Sequence, residues 1–555
     1  MITTDGINWS EYSSGTTSEQ IYKWENIYAT AFGMKNPGES GADVNGIWIR
    51  NMYIELSYPF EEAVYEDGEW RYGREPDESR DVQLTDNITI SSVIKAKSIE
   101  IADTKKITIT SAGALVVSGA VTREDGTAPT ASDLVLESTS DGNATLIFDN
   151  SNSAAATVQM YSKATAEGGW TWQYIAAPAA VSALDNYYGG YLYKWVESSW
   201  AAVGRDATME LFAGYCVSYP TAGHTFAIEG TLAPTTSKSI TVPEGKSMVV
   251  GNSWTAPIQI TQLEEADFSG LLKNVYLYNT GNDEAGKATT TSSPTGDAIY
   301  AAGTYISVPI HSAKYTDVKV ISSLQGFFVK DDHNAAGGGT LSLSYSKHVR
   351  PSGGNSVING AMHAPKRVAD ETDRPAVLKM KVSGSQYDDR LILLEREDFT
   401  TGYDAGWDGD KMGDVATSPR ITTTREDGTA DAVAALPDLE GTLINFRAAS
   451  TDDQYTLYFD YETEDAEPLY LLDLTNNAYT RVETGSSYTF FTTDKADHKR
   501  FALTRYRAPQ ITTGVEDASE DNGQGKAVKF IENDKLYILR NGVLYDGTGK
   551  KVIDN

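Results

Sequence analysis

Short runs rich in Val, Ile, Thr, Tyr and Phe alternate with clusters of Gly, Asn, Asp and Ser along most of this chain. Runs of this length, bounded by turn-forming residues, are typical of β-strands joined by tight turns, whereas helical periodicity is nearly absent. With 555 residues the chain is longer than a single hydrophobic core usually organises, so we expect several domains. The sequence therefore predicts an all-β, multidomain protein.

Between residues 87 and 161 the strand signals shorten to apolar triplets. Triplets that begin at Ile99, Ile107 and Leu115 follow one another at a spacing of eight residues. A short regular period is typical of a β-solenoid, whose parallel rungs bury a continuous aliphatic column only when they are stacked. The later triplets are spaced irregularly, which leaves an ordinary antiparallel sheet as the alternative. We expect a solenoid-like segment here.

Composition shifts divide the rest of the chain. Trp and Tyr become dense from Trp170 onwards, as expected where a β-sandwich begins. Further on, a polar stretch with Gly and Pro indicates a linker, and strand patterns with the spacing of a sandwich or jelly roll follow it. The predicted units are an N-terminal β segment at 1–80 that begins mid-pattern as a truncated segment would, a solenoid-like region at 81–165, an aromatic-rich β-sandwich at 166–350, a linker at 351–375, a second, jelly-roll-like β-sandwich at 376–510, an acidic tether at 511–526 and a small C-terminal β module at 527–555.

The charge balance excludes several classes of partner. Lys and Arg number 46 and Asp and Glu number 77, so the formal net charge is −31. Nucleic acid and anionic membrane surfaces would repel such a chain, and we expect neither as a partner. No stretch reaches the roughly 18 consecutive apolar residues of a transmembrane helix, so we expect no membrane insertion.

The C-terminal module carries the clearest local signal. Asn541-Gly542 lies between two β-prone runs and predicts a tight hairpin, because a type I′ turn needs positive φ at both central residues. The acidic tether before the module has too little apolar content to pack, and so isolates the module from the preceding domain. A second interpretation is that these residues form the last hairpin of that domain.

Residues 528–552 resemble the C-terminal sorting module of Bacteroidetes-type exported proteins, which the type IX (Por) secretion machinery recognises. Strand patterns between residues 387 and 501 are similar to the β-sandwich that precedes such modules. The resemblance implies export to the cell exterior or outer surface, with the sorting machinery as a partner, and implies little about activity. The residues on which the resemblance to the sorting module rests are Leu536, Tyr537, Ile538, Asn541, Gly542, Tyr545 and Gly549.

The beginning of the chain does not match an exported protein as synthesised. Residues 1–6 have neither the basic start nor the apolar centre of a signal peptide. We therefore expect the sequence to be a fragment or a matured form.

Motifs of enzyme chemistry are absent from the sequence. The six histidines show no metal-binding spacing, and no nucleophile elbow, phosphate-binding loop or dinucleotide fingerprint occurs. The single cysteine, Cys216, lies in a strand-like apolar run and is expected to be a buried structural residue. We predict a non-enzymatic protein that needs no cofactor, apart from the calcium ion considered next.

An acidic, Gly-rich loop is the best candidate for a site. Closely spaced carboxylates on such a loop can surround Ca²⁺ with oxygen ligands, although the spacing does not fit an EF-hand. Alternatively, Asp and Gly simply shape the turn and the charges stay solvated. The candidate calcium ligands are Asp404, Asp408, Asp410 and Asp414.

The aromatic residues between 187 and 200 allow two interpretations. Exposed Trp and Tyr rings could stack on sugar rings, but at this density most large aromatics belong to a sandwich core. The sequence therefore predicts a secreted or cell-surface protein of adhesin-like or structural type, exported through its C-terminal module and binding an extracellular glycan or protein. A polysaccharide-binding or polysaccharide-cleaving extracellular protein is the alternative.

Overall fold

The prediction of an all-β, multidomain fold is confirmed by the computed structural model. Helix within the described residues is limited to Tyr345–His348 and to 3₁₀ turns at Arg71–Gly73, Ile260–Gln262, Glu265–Asp267 and Ala313–Tyr315. No helix of this part of the chain is long and apolar enough to cross a membrane. The structure describes residues 2–3, 31–32, 62–73, 75–181, 190–204, 206–281, 298–316, 318–332, 335, 337–349, 374–463, 467–506, 528–532, 535–540, 543–546 and 550–552.

Residues 62–162 form a stack of parallel β-rungs, which confirms the solenoid-like segment and excludes the antiparallel alternative for its three faces. Each complete rung contributes one strand to each of three parallel sheets. The first face consists of Glu62–Glu66, Asp81–Leu84, Ser98–Ile101 and Val121–Arg123, the second of Ile88–Ile90, Ile107–Ile109, Leu134–Leu136 and Ala155–Ser162, and the third of Val93–Ala96, Ala114–Val117 and Thr145–Ile147. Antiparallel additions are Glu69–Trp70 beside the first face and the hairpin Ser138–Thr139 with Gly142–Asn143.

Strand register aligns the apolar triplets into columns inside the stack. On the third face Ile94, Leu115 and Leu146 lie in one column, and all three side chains are buried. Equivalent columns run through the other two faces. Because a triplet buries only two or three side chains, a single rung cannot form a core, and stacking supplies the missing neighbours.

The solenoid continues into the next unit without a break in its core. Its last strand, Ala155–Ser162, pairs antiparallel with His224–Thr231 along the full length of both strands. The aliphatic columns then share one hydrophobic cluster with Ile175 and Val217 from the aromatic-rich unit. The two predicted units are therefore joined by a common sheet and a common core.

The aromatic-rich unit contains several small antiparallel sheets around a second core, in which Trp254, Phe268 and Phe327 are fully buried. Cys216 is buried as predicted, and burial raises the pKa of its thiol to about 12, which keeps it protonated. The strands are Gln173–Ile175, Tyr191–Val196, Ser199–Ala202 and Tyr215–Ser218; Ser237–Val242, Phe268–Ser269 and Gly339–Ser344; Ser247–Gly251, Asn274–Tyr278, Tyr305–Pro309 and Gly326–Lys330; and Ile258–Gln259 with Val320–Ile321.

The second sandwich is built from one sheet that folds around a single core. Its 11 strands run from Ala478–Val482 at one end of the sheet to Ser487–Phe491 at the other, and these two are consecutive in the chain, so the sheet nearly closes. Phe446, Phe459 and Phe501 are fully buried inside it. The other strands are Ala376–Ser383, Asp388–Glu395, Gly409–Asp410, Arg420–Thr424, Ala430–Leu436, Leu443–Arg447, Gln454–Glu462, Leu469–Asp473 and His498–Thr504.

The C-terminal module is a three-stranded antiparallel sheet of Val528–Glu532, Lys535–Arg540 and Val543–Asp546. The register pairs Arg540 with Val543, as expected of a two-residue connection. The linker at 351–375, apart from its last two residues, and the tether at 511–526 lie outside the described residues. So does most of the N-terminal segment, where the strands are Ile2–Thr3 and Ala31–Phe32.

We expect Leu115→Ala to lower the free energy of unfolding of the solenoid by about 2–5 kcal/mol, because the truncation leaves a cavity in a column closed above and below. Urea unfolding followed by circular dichroism measures the change. The control is Thr89→Ala, which removes an exposed side chain from the second face and should change the stability by less than about 0.5 kcal/mol. Equal effects of the two substitutions would contradict the stacked-column account.

Candidate functional site at the junction of the two sandwiches

The acidic loop of the second sandwich lies against the aromatic-rich unit. Three of its backbone carbonyls accept hydrogen bonds from that unit. His311 N donates to the oxygen of Gly406 at 2.8 Å, Ser312 Oγ donates to that of Trp407 at 2.7 Å, and Asn274 Nδ2 donates to that of Asp408 at 3.1 Å. Because these bonds use consecutive backbone groups, they hold the whole loop in one position.

Two glycines allow the close approach of the units. Gly406 has φ +77°, and a Cβ added there would lie 2.5 Å from Cδ2 of His311. A Cβ on Gly409 would lie 2.6 Å from Oγ of Ser307. Real side chains do not tolerate such distances, so the junction requires glycine at both positions.

An apolar contact completes the junction. Tyr315 of the aromatic-rich unit belongs to a buried cluster whose other members come from the second sandwich. The cluster removes the ring of Tyr315 from water, and its hydrophobic burial adds to the polar contacts of the loop. The other members are Val377, Ile392, Leu394, Phe399, Val433 and Ala435, with Trp407 packed against them.

Asp404 and Asp408 form hydrogen bonds that shape the loop itself. Thr400 N donates to the carboxylate of Asp404 at 2.8 Å. Asp408 is fully buried, and its two oxygens accept from Asp404 N and Ala435 N, each at 2.6 Å. Burial nevertheless raises the pKa of Asp408 to about 7, because the desolvation of this carboxyl outweighs its two hydrogen bonds and the attraction of Arg425.

Asp410 lies in a network of ion pairs that spans the junction. Arg425 pairs with Asp410, and its Nε lies 3.0 Å from an oxygen of the fully buried Asp431. Lys330, from the aromatic-rich unit, approaches Asp410 at 3.4 Å. One guanidinium thus lies against two carboxyl groups of its own sandwich, and its single charge balances Asp410 because burial raises the pKa of Asp431 to about 8. Lys330 adds a contact from the neighbouring unit to Asp410.

Asp414 is separate from the other three, since it pairs with Arg447. The structure therefore brings only Asp404 and Asp408 into direct contact, and gives the four carboxylates different partners. No group of three or more His, Cys, Asp or Glu side chains in the described part of the chain is arranged to hold a metal ion. The calcium site stays a prediction.

A cleft of about 390 Å³ opens beside this network in the second sandwich. Asp408, Arg425 and Asp431 line it together with Asn445 and Lys499. Asp408 is bonded through both oxygens to backbone N–H groups, and Arg425 is held by two carboxylates. These groups are engaged in structural contacts that hold the junction together.

The aromatic residues named in the sequence analysis lie mostly in packed positions. Tyr193, Trp195 and Trp200 are half-buried against a cluster that includes Cys216. Tyr191, in contrast, is exposed. Residues 187 and 188 lie outside the described part of the chain.

The residues that carry the sorting resemblance map onto the terminal sheet only in part. Leu536, Tyr537 and Ile538 lie on its central strand, and Tyr545 pairs with Ile538 from the neighbouring strand. Asn541, Gly542 and Gly549 lie outside the described residues.

Sequence reasoning missed the residues that define the junction. Arg425, Asp431 and Lys330 are far apart in the chain or isolated in strands, and nothing in their local pattern marks them as partners. Only the glycines of the acidic loop carried a usable signal, because paired Gly and Asp in a non-turn context suggest close backbone approach.

We expect the two sandwiches to stay associated after the covalent linker between them is cut. A site-specific protease sequence placed within the predicted linker at 351–375 allows this test, with gel filtration as the measurement. In Gly406→Ala the cut halves should separate, because the new methyl collides with His311.

Gly428→Ala is the matched control. Gly428 has φ +87° but no atom within 4 Å of an added Cβ, so it shares the backbone strain of Gly406 without the contact. Its cut halves should co-elute like those of the unsubstituted protein. Separation of the unsubstituted halves would contradict a stable junction.

Asp408 should make the stability depend on pH. Its pKa is about 7 in the folded protein and about 3.9 in an unfolded chain, so the folded state holds the extra proton between these values. The free energy of unfolding should therefore fall as the pH rises from about 4 to about 7, by up to about 4 kcal/mol. Burial also raises the pKa of Asp431, to about 8, which adds a slope of the same sign. Asp408→Asn should therefore be less stable at pH 4, since one backbone N–H loses its acceptor, and should keep only part of the slope. Urea unfolding at both ends of the range measures it, and identical slopes would refute the assignment.

Comparison with known proteins finds a similarity to a bacterial fimbrium subunit. No family model matches it, and no solved structure matches it. The minor fimbrium subunit Mfa5 of Porphyromonas gingivalis is 28% identical to it over 422 residues, which cover 70% of this chain and 33% of that protein. The chain thus spans about a third of the length of this curated relative. It is a distant homologue of a fimbrial subunit from a Bacteroidetes organism.

Proposed function

We propose that this protein is a non-enzymatic, structural or adhesin-like protein of the bacterial surface, which assembles with other surface proteins. The observation that carries the proposal is the similarity to a fimbrium subunit over 70% of the chain. That relative is named for a structural assembly rather than for a reaction, which supports the non-enzymatic part.

The architecture supports a role in which shape is maintained under load. The solenoid and the aromatic-rich unit share a sheet and a core, and the aromatic-rich unit is fastened to the second sandwich by hydrogen bonds, ion pairs and an apolar cluster. Units joined only by flexible linkers would move independently. Here the contacts between neighbouring units favour their acting as one body.

The route of export is the second part of the proposal. We infer that residues 527–555 act as the sorting module and that the secretion machinery is their partner. The module has 29 residues, fewer than the roughly 40 that usually fold without further stabilisation, so binding to a partner would stabilise it. Location at the cell exterior or outer surface follows from this inference and from the fimbrial relative.

We expect surface display to require the C-terminal module. In the native host, the gene with its natural upstream start should yield a product that protease cleaves on intact cells, and the same gene ending at Gly514 should yield a protected, intracellular product. A control gene with a shuffled tether at 515–526 and an intact module should restore display, because the proposal assigns recognition to the module. Equal export with and without the module would refute the sorting role and leave the fimbrial similarity untouched.

A polysaccharide-binding protein is the second candidate, because two large aromatic rings are exposed side by side on the aromatic-rich unit. Exposed rings of this kind are typical of binding surfaces for several chemical classes of ligand. Their geometry and surroundings distinguish among these classes.

A further inference from the structure

Trp170 and Tyr191 are the two exposed rings. Trp170 is 55% exposed and Tyr191 is 43% exposed, and their ring centroids lie 4.8 Å apart in an edge-to-face arrangement. The fold does not gain the free energy that burial of these two large aromatic side chains would supply. Nearby rings of the same unit are packed. Adjacent exposed aromatics of this kind are typical of a binding surface.

A ladder of rings connects this surface to the core. Trp170 and Trp172 precede the strand Gln173–Ile175, which contains Tyr174. The ring of Trp170 stacks on that of Trp172 at 5.6 Å, with an interplanar angle of 13°, and Trp172 meets Tyr193 edge to face at 5.3 Å. At the buried end Tyr174 stacks on Tyr278 at 4.1 Å. Trp170 thus rests on a packed ring, and Tyr191 contacts Trp170.

The loop that presents Trp170 is closed by a pair of threonines. Thr171 N donates to the oxygen of Thr165 at 2.8 Å, and Thr165 N donates to Oγ1 of Thr171 at 2.9 Å. Glu167 N also donates to Oγ1 of Thr165, at 3.0 Å. These bonds, with the stacking on Trp172, hold Trp170 in one orientation before any ligand arrives. Binding of a ligand would therefore cost little conformational entropy at this site.

The chemistry of the rings and the charge balance of this stretch of the chain favour a cation. The face of an aromatic ring is its negative side, and Trp gives the strongest cation–π contact. Among the described residues of 161–231 the two lysines are both engaged, Lys194 with Glu210 and Lys163 with another group. Five carboxylate residues in the same stretch are exposed, namely Glu167, Glu197, Asp206, Glu210 and Glu229.

We propose that Trp170 and Tyr191 form the binding surface for a basic segment of a partner protein, with an arginine or lysine side chain over the exposed face of Trp170. Trp, Tyr and Arg are the residues that dominate the energetics of protein interfaces, and a planar guanidinium matches an indole face. The net charge of −31 assists the approach of such a partner. This inference rests on the proposed role of the protein in binding other proteins, but it does not depend on where the protein is located.

The test is equilibrium binding of a short peptide that alternates arginine and glycine, measured by isothermal titration calorimetry on the full chain at physiological ionic strength. Trp170→Ala should weaken binding about 3- to 30-fold, the range expected for loss of one cation–π contact. The same peptide with glutamine in place of arginine should not bind.

Phe491→Ala is the matched control, because Phe491 is 68% exposed on the second sandwich and shows no ring contact. It should bind the arginine peptide like the unsubstituted protein. Thermal unfolding verifies that each variant is folded. If Trp170→Ala does not fold, ¹⁵N-tryptophan labelling of the unsubstituted protein replaces it, with Trp170→Phe identifying the indole signal that the peptide should shift.

Two outcomes would overturn the proposal. Equal affinity of Trp170→Ala and the unsubstituted protein would show that the peptide responds only to the overall negative charge. Binding of a neutral glucan oligosaccharide that is lost in Trp170→Ala, without any binding of the arginine peptide, would assign the surface to sugars instead. Either result would leave the surface-display experiment unaffected, so the failure of this inference is distinguishable from failure of the proposed function.

Discussion

Hydrophobic burial that crosses the borders between units is the interaction on which this structure depends. The chain has one cysteine and so cannot form an internal disulfide, and its solenoid rungs are too thin to form a core alone. Within the solenoid, stacking of the rungs forms the core that a single rung lacks. The pairing of Ala155–Ser162 with His224–Thr231 extends the same core into the aromatic-rich unit. Each unit is stabilised by a neighbour, as in other repeat architectures whose ends need a cap.

At the junction between the aromatic-rich unit and the second sandwich, polar contacts predominate over apolar ones. Backbone carbonyls of the acidic loop accept hydrogen bonds from His311, Ser312 and Asn274, which fixes distance and orientation more strictly than apolar packing does. Buried carboxylates in this place are costly unless they are bonded, and each has found a donor or a cation. Such a junction specifies the relative geometry of the two units as well as their stability.

The solenoid was predictable because its signal is local and periodic. Triplets such as those at Ile99 and Ile107 predict short strands from their own composition, and their spacing predicts stacking. The four aspartates of the acidic loop were recognised as a group, but the partners that they contact were not. Those partners depend on where Arg425, Arg447 and Lys330 lie in space. Those cations come from distant parts of the chain, where no sequence pattern connects them to the loop.

By itself the sequence determined the all-β class, the solenoid-like stack, the aromatic-rich and second sandwiches and the terminal three-stranded module, because alternation, turn residues and periodicity act over a few residues. Only the tertiary structure decided which units share a core, which partners the aspartates take and which aromatics stay exposed. Trp170 and Trp195 look alike in the sequence, yet one is exposed and the other is packed against the cluster around Cys216. Burial depends on what a distant strand brings against a side chain, and that information is contained in the folded arrangement rather than in any local stretch of residues.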